Sequence, residues 1–406
     1  MRAKGVNQKQ IKTTNQSLII NEIRAAGSLS RSDLAKKLML SAPSISANID
    51  DLISRNVILE KGAGTSARGR KPINLVFNYN YSYVVAVDMV SSSSRIALSD
   101  LSGTNVLDYA HVEDTWQITP EAADRIMDAI GELLSKHDIP EEKLHCICLG
   151  SPGIIDPDTG AIVFAPRIID LPGTALRDRF AGRFRSDVIV KNDLNCSAVG
   201  EQLFGAGVDY SNFINIQLDL GSGAGLILNN QLYEGSRGSA GEIGLWIMDN
   251  KPVVEGQGVS LVNVADYHIS VFGLLCKVKE RYPDVLASMG EGDIDLHRIA
   301  DYAKLMFAAA RAGDERVLAI IREGVAKLGC VLRNICLLLD LEAVIIGGLM
   351  LELDKLYLEP LEEIMSAHIS TQVRIVPSTL GDKTVLFGAI GEAINKILDN
   401  IVNNGD

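Results

Sequence analysis

The sequence predicts an α/β protein in which an N-terminal winged helix-turn-helix precedes a larger, two-lobed α/β body. Three observations predict it: a sharp segregation of charge, a helix-turn-helix periodicity confined to the first eighty residues, and glycine-rich turns that recur at strand ends in the remainder. The chain has 406 residues, 47% of them apolar, enough to bury the cores of two or three domains. Its formal charge of -12 hides an asymmetry, because residues 1–72 carry 13 Lys and Arg against 5 Asp and Glu, whereas the rest carry 26 against 46. A basic module joined to an acidic body places any contact with a polyanion on the module, and excludes coating of nucleic acid or anionic membrane by the whole chain. Six cysteines without a dense framework fit a reducing compartment. Cys146 and Cys148 alternate in an apolar run, as core positions of one strand do, and no metal site is expected from them. No uncharged apolar run approaches about 18 residues, and the polar, basic start lacks a secretory core, so no membrane span is expected and cytoplasm is the expected location.

The module, residues 1–78, justifies its helices in order. Leu18, Ile19 and Ile23 recur on one helical face, ended by Gly27 and Ser28. Ser30 is placed to cap a second helix reaching about Leu38, with Asp33 completing a capping box and Leu34 and Leu38 inward. After a short turn from Met39 to Ser41, a third helix carries Ile45, Ile49 and Leu52 on one face, with Pro43 tolerated in its first turn. Val57 to Glu60 and Ile73 to Phe77 read as two strands flanking a glycine-rich loop with Arg68, Arg70 and, just beyond, Lys71. Small hydrogen-bonding residues at the start of the third helix suit approach to base edges, and a cationic wing suits phosphates or the minor groove. The candidate DNA-contacting residues are therefore Arg31, Ser41, Ala42, Pro43, Ser44, Ser46, Ala47, Asn48, Arg68, Arg70 and Lys71, within a reading segment from Ser41 to Arg55 and the wing.

In the body, strands at Tyr83 to Asp88, Arg95 to Ser99 and Val106 to Val112 precede helical periodicity from Pro120 to Ser135 and a strand ending in Ser151-Pro-Gly-Ile-Ile-Asp156. A second unit of the same type begins with the strand Asn212 to Asp219, a glycine turn at Gly221 to Gly225 and another strand. That turn joins two strands and lacks the Lys-Ser/Thr of a P-loop, yet its backbone N–H groups suit a phosphate or a sugar hydroxyl, making Asp219, Gly221, Ser222 and Gly223 phosphate-loop-like candidates. A further strand from Ala343 to Ile346 runs into Gly347-Gly348. The body divides into lobes at 79–200 and 201–406, with the terminal helix, 383–398, expected to pack back on the first lobe and the second lobe expected to dimerise.

The pieces Ser151 to Asp156, Val190 to Gly205, Asp219 to Gly244, Ile345 to Gly348 and Gly388 to Ala393 occur in the order seen in the ROK family, which the chain resembles over nearly its whole length. The family holds sugar kinases and sugar-responsive repressors of the NagC/XylR type. The resemblance implies an actin-like/sugar-kinase (ribonuclease H-like) ATPase fold for the body. It also implies a sugar site between the lobes with Gly153, Asn192, Asp193, Glu242 and, at altered spacing, Glu255 as ligand-binding candidates. In the kinases, the residue matching Asp193 is the catalytic base, so Asp193 is here a vestigial catalytic candidate. Three departures stand against catalysis. Asp88-Met89-Val90-Ser91-Ser92 replaces the family's Asp-x-Gly-x-Thr phosphate loop, Leu245 replaces a sugar-contacting His, and 246–260 hold none of the cysteines of the family's zinc cluster. Arg167-Ile168-Ile169-Asp170 also stands where the family has a sugar-contacting Asn.

The expectation is a non-enzymatic regulator, more often repressor than activator by the resemblance, with neither metal nor cofactor. Its partners are double-stranded operator DNA, a sugar or sugar-phosphate effector and a second copy of itself, and whether dimers pair further stays open. An ATP-dependent sugar kinase and a constitutive DNA-binding repressor with a degenerate ligand site are the alternatives.

Overall fold

The structure is a computed structural model that describes residues 8–63, 73–89, 93–113, 115–165, 167–248, 264–290, 292–367 and 373–403. The module forms as its periodicity dictates: α1 (Gln8–Ala26), β1 (Leu29–Ser30), α2 (Arg31–Leu38), α3 (Ala42–Ser54), β2 (Ile58–Ala63) and β3 (Ile73–Phe77). Ser30 Oγ accepts from the Asp33 N–H at 3.2 Å, and the Asp33 carboxylate accepts from the Ser30 N–H at 3.4 Å, so the capping box is present. Ser41 caps α3 by accepting from the Ser44 N–H at 3.4 Å. Ile19, Ile23, Leu34, Ile45, Ile49 and Leu52 close its core, all fully buried. The strands pair in the order β1-β3-β2, antiparallel throughout, which is the winged variant of the motif. Arg68, Arg70 and Lys71 lie outside the described residues.

The first lobe comprises β4 (Tyr83–Asp88), β5 (Ser94–Asp100), β6 (Val106–Val112), α4 (Pro120–Lys136), β7 (Leu144–Ser151), β8 (Ile154–Ile155), β9 (Ile162–Phe164), α5 (Ala175–Arg183) and β10 (Asp187–Asn192), followed by α6 (Asp193–Phe204). The second comprises β11 (Phe213–Leu218), β12 (Ser222–Leu228), β13 (Gln231–Leu232), α7 (Ala265–Ile269), α8 (Val271–Arg281), α9 (Ile299–Arg311), α10 (Glu315–Leu339), β14 (Ala343–Gly347), α11 (Lys355–Ser366) and β15 (Arg374–Pro377), and the chain closes with α12 (Thr384–Asn403). The two sheets, β6-β5-β4-β7-β10 and β13-β12-β11-β14-β15, repeat one pattern: two antiparallel strands lead to a central strand, and two parallel strands follow it. Two copies of one unit face each other, and this symmetry puts the carboxyl ends of β4, β7 and β11 toward a shared cleft.

Two helices lie between the sheets. α6 packs on β11 and β12, where Ser197 Oγ accepts from Asn215 Nδ2 and from Gln217 Nε2, both at 2.8 Å. α12 packs on β4 and β7 and against α6, so the terminal helix does return to the first lobe. The two helices meet closely, because a Cβ on Gly388 would fall 1.6 Å from the Cys196 carbonyl oxygen. One continuous apolar cluster joins the module's Ile19, Ile49 and Phe77 to Val84 and Ala86 of the first sheet and to Ile394, Ile397 and Ile401 of α12. The module is thus built into the body's core.

One boundary differs from expectation. The ladder between β11 and β12 runs on to Leu218 opposite Ser222, so the turn is Asp219–Gly221 only, and Ser222 to Gly225 belong to the strand.

Candidate functional site

On the module, Ser41, Ala42, Pro43 and Ala47 are exposed, and Ser44 and Ser46 are half-buried, at the amino-terminal end of α3. Asn48 departs from the expected exposed surface: it is 8% exposed, and its Nδ2 donates to the Ser44 carbonyl at 2.8 Å. Its turn on the helix, one position before core residue Ile49, points it inward. Arg31, at the start of α2, is engaged within the protein, 2.7 Å from Asp50 and 3.4 Å from Glu60. Both acids offset the positive charge of Arg31.

In the cleft, β10 delivers Asn192 and Asp193 to the start of α6. Asn192 is the helix cap: its Oδ1 accepts from the Asn195 N–H at 3.0 Å, and its Nδ2 donates to the Gly153 carbonyl at 2.8 Å. The capping role so falls to Asn192, which leaves the Asp193 carboxyl at the first helical position. Gly153 holds φ +108, and a Cβ there would lie 2.2 Å from the Phe164 carbonyl oxygen, so only glycine lets the β8–β9 hairpin fold over β7 beside Asn192. Asp193 is 8% exposed, and its pKa is pushed up to about 7, first by burial and then by the charge of Asp88, with Glu242 adding to it. Glu242 is half-buried and its pKa is raised by burial and by Asp266. Glu255 lies outside the described residues.

Arg167 occupies the side of the cleft near these acids. Its Nε donates to the Trp116 carbonyl at 2.7 Å, its guanidinium stacks 4.3 Å from the centre of the Trp116 ring, and the charges of Asp193 and Asp88 partly offset the lowering of its pKa by burial. The Trp116 ring in turn lies 4.9 Å from that of His297, which belongs to the second lobe. This stack joins the lobes beside the cleft.

The elements that resemble a phosphate site are occupied by the chain itself. Asp88, fully buried, accepts from Arg95 Nε at 3.1 Å and also from its Nη2, while Arg95 Nη1 reaches Asp382 at 2.8 Å. Asp219 accepts from the Leu349 N–H at 2.7 Å, and burial raises its pKa. Asp266 accepts from the Ser222 N–H at 2.6 Å and from the Ser222 hydroxyl, so a carboxylate already stands over the turn after Gly221. A Cβ on Gly223 would lie 2.2 Å from Leu194 Cδ1, which gives that glycine a packing role against α6. Val90, Ser91 and Ser92 lie outside the described residues. Among the described residues, no group of three or more His, Cys, Asp or Glu is placed to hold a metal ion, and no helix is long and apolar enough to cross a membrane.

Sequence reasoning missed Arg95, Trp116, Asp266 and His297. Arg95 had a signal, since closing the β4–β5 hairpin in register sets it opposite Asp88. Asp266 had none, being brought to Ser222 by the packing of α7 across the second lobe.

The ROK family pattern matches residues 84–395. The xylose repressor of Bacillus subtilis is 29% identical over 97% of this chain and 98% of its own length. The DNA-binding transcriptional dual regulator NagC of Escherichia coli is 25% identical over 98% of this chain and 96% of its own. Among solved structures, a ROK family transcriptional regulator described as a homologue of the E. coli MLC protein superposes with a TM-score of 0.79 at 22% identity, over 97% of this chain and 98% of that one. A ROK family glucokinase from Streptomyces griseus, in complex with glucose and AMPPNP, superposes with a TM-score of 0.63 at 26% identity, covering 77% of this chain and 100% of that one.

Proposed function

Because the chain belongs to the ROK family, we propose that it is a transcriptional repressor that grips an operator as a homodimer and lets go when an uncharged sugar fills the cleft. The observation that carries the reading is the contrast between the two parts of the cleft. The Asp193 carboxyl meets the charge of Arg167 and the backbone N–H groups that open α6, and the Glu242 carboxyl is half-buried, whereas both halves of the phosphate region are closed by internal side-chain partners, Arg95 on Asp88 and Asp266 on Ser222. Nucleotide phosphates would have to displace a buried ion pair and stand against the Asp266 carboxylate, which argues against phosphoryl transfer from ATP and supports a regulatory rather than an enzymatic role. A sugar hydroxyl meets no such obstacle, since a carboxylate accepts several hydrogen bonds.

An uncharged sugar fits better than a sugar phosphate, because a phosphate dianion would enter beside the carboxyls of Asp193 and Glu242, with the Arg95 guanidinium already bound to Asp88 and that of Arg167 shared between Asp193 and Asp88. The relatives' names supply the probes, D-xylose and N-acetylglucosamine. The regulator-like architecture, with its module fused through one core to the body, supports DNA binding as the output, and paired half-sites call for two-fold symmetry.

The test is selection of genomic fragments with the purified protein, then footprinting with each sugar and its phosphate. A discrete site vacated with a neutral sugar and kept with its phosphate is the expected result. A site indifferent to all of them would leave a constitutive repressor, and no site at all, with sugar-dependent consumption of ATP, would replace the reading with a kinase.

A further inference from the structure

The cleft and the DNA-binding module share one element. α12, about 30 Å long at 1.5 Å per residue, passes the cleft with its middle and touches the module with its carboxyl end. At its middle, Glu392 faces Lys191, 3.8 Å away, and the same Lys191 Nζ lies 3.1 Å and 3.3 Å from the two carboxylate oxygens of Glu234. All three side chains are at least three-quarters buried. Lys191 directly precedes Asn192 and Asp193, and Glu234 opens the loop that leads to Glu242, so this one cluster ties α12 to both acidic segments of the cleft. Nearer its end, Asn400 Nδ2 donates to Asp187 at 2.5 Å, anchoring the helix to the start of β10 as well.

The carboxyl end is capped by the module. The last carbonyls of a helix lack partners within it and carry its negative dipole, so they attract a cation and hydrogen-bond donors from outside. Here Arg55, which is the C-cap of α3, donates from Nη2 to the Ile401 carbonyl, and Thr13 of α1 donates from Oγ1 to the Val402 carbonyl at 3.3 Å. Arg55 is itself oriented by Asp51 at 3.3 Å, and Asp51 is held by Lys12 at 3.3 Å and Gln16 at 2.8 Å. The residue whose backbone N–H ends α3 thus also caps α12 with its side chain.

We infer that α12 is the connecting rod between effector and operator: the Lys191, Glu234 and Glu392 cluster senses the relative position of the two acidic cleft segments, and Arg55 and Thr13 deliver the displacement of α12 to α3 and α1. This rests on the repressor reading for its biological use, but the mechanical link stands on the contacts alone. A close-packed helix moves as a unit, because its interface with α6 has no room to yield at Gly388. Glu392 is a positioning residue, touching neither sugar nor DNA.

The test uses the full-length protein and Glu392→Gln, which keeps the side chain's shape and weakens its attraction to Lys191. Amide hydrogen exchange is measured first without any ligand. Expected is faster exchange at Asn192 to Leu194 and, at the far end, in α1 and α3, with β14 and α10 at wild-type rates. Faster exchange limited to the turns around Glu392, with α1 and α3 unchanged, would overturn the inference. Should Glu392→Gln accelerate exchange everywhere, Lys191→Met, which opens the same cluster from the strand side, must give the selective pattern or the inference fails. Operator affinity is then measured with and without D-xylose or N-acetylglucosamine. In Glu392→Gln the ratio of the two affinities should fall toward one, on the order of fivefold, while sugar binding by calorimetry persists; a ratio equal to that of the wild type counts against the rod. If the wild-type protein binds neither sugar, the repressor reading loses its effector class, and the exchange pattern alone decides the rod.

Discussion

Replacing Asp193 by Asn removes one titrating group from the cleft with almost no change of shape. Burial and the neighbouring charge of Asp88 raise its pKa to about 7 in the folded chain, against 3.8 for the free side chain. The unfolded chain therefore releases this proton near pH 4, whereas the folded chain holds it until about pH 7. Between those values the folded state binds the extra proton, so stability from this group is greatest at low pH and is lost as pH rises, by about 1.4 kcal/mol per unit. From pH 5 to pH 7 the loss reaches about 2 kcal/mol, and above pH 7 it levels off. An Asn at the position has no such slope, and the other titrating groups are common to both proteins. Urea unfolding of wild type and Asp193→Asn at pH 5, 6, 7 and 8 should thus give stabilities that diverge in favour of the Asn variant up to pH 7 and then run parallel. Parallel curves across the whole range would mean that Asp193 is ionised at pH 5, and that solvent or an unrecognised cation compensates its burial.

Other consequences are as direct. Arg95→Met removes the guanidinium bonded to the buried Asp88 and should lower stability by about 3 kcal/mol in urea unfolding, with Asp88→Asn in the same chain restoring much of it; equal losses in the single and double variants would show that the pair contributes packing alone. Gly388→Ala drives a methyl group into the Cys196 carbonyl and should cost about 3 kcal/mol, read as a drop in melting temperature, and a neutral result would mean that α6 and α12 are less tightly packed than described. Asp50→Asn combined with Glu60→Gln removes both acids that engage Arg31, so the slope of log affinity against log salt on an operator fragment should steepen by about one, and an unchanged slope would keep Arg31 off the phosphates. Sugar binding that draws on ionised Asp193 should release up to about half a proton at pH 7, measurable by calorimetry in buffers of different ionisation enthalpy; zero release would remove Asp193 as a hydroxyl acceptor.

What was legible in the sequence is what local rules govern. The capping box of Ser30 and Asp33, the cap at Ser41, the buried apolar strand β7 with Cys146 and Cys148 and the strand from Ile73 to Phe77 each depend on residues a few positions apart, and they form where expected. The winged motif and the return of α12 to the first lobe followed from them. The glycine turn was misjudged in length because three of its glycines read as loop-formers, whereas Gly223 and Gly225 are in a strand and admit the close approach of α6 at Leu194. Asn48 was misjudged because helical periodicity gives the buried face an angular width that a single polar residue does not reveal. The partners of the cleft acids were out of reach for a stronger reason. Asp266 meets Ser222 across 44 residues, Asp382 meets Arg95 across 287, and Arg55 meets Ile401 across 346, and such pairings are set by the assembled topology.

The same long-range pairs explain how a kinase-like body serves as a sensor without a change of fold. Catalysis on nucleotide phosphates needs backbone donors, carboxylates and space left unsatisfied until substrate arrives, and that stored potential costs stability. In this chain Arg95 and Asp266 engage Asp88 and Ser222 internally, which lowers that cost and sets internal partners against a nucleotide phosphate. The sugar side keeps its acids, Asp193 and Glu242, whose pKa values are raised by burial and by the charge of neighbouring carboxylates. A ligand that supplies hydroxyl donors stabilises their ionised forms, so the free energy gained on binding is largest where the empty protein is least satisfied. Those acids lie at the start of α6 and in the loop following Glu234, the two segments that Lys191 ties to Glu392 of α12.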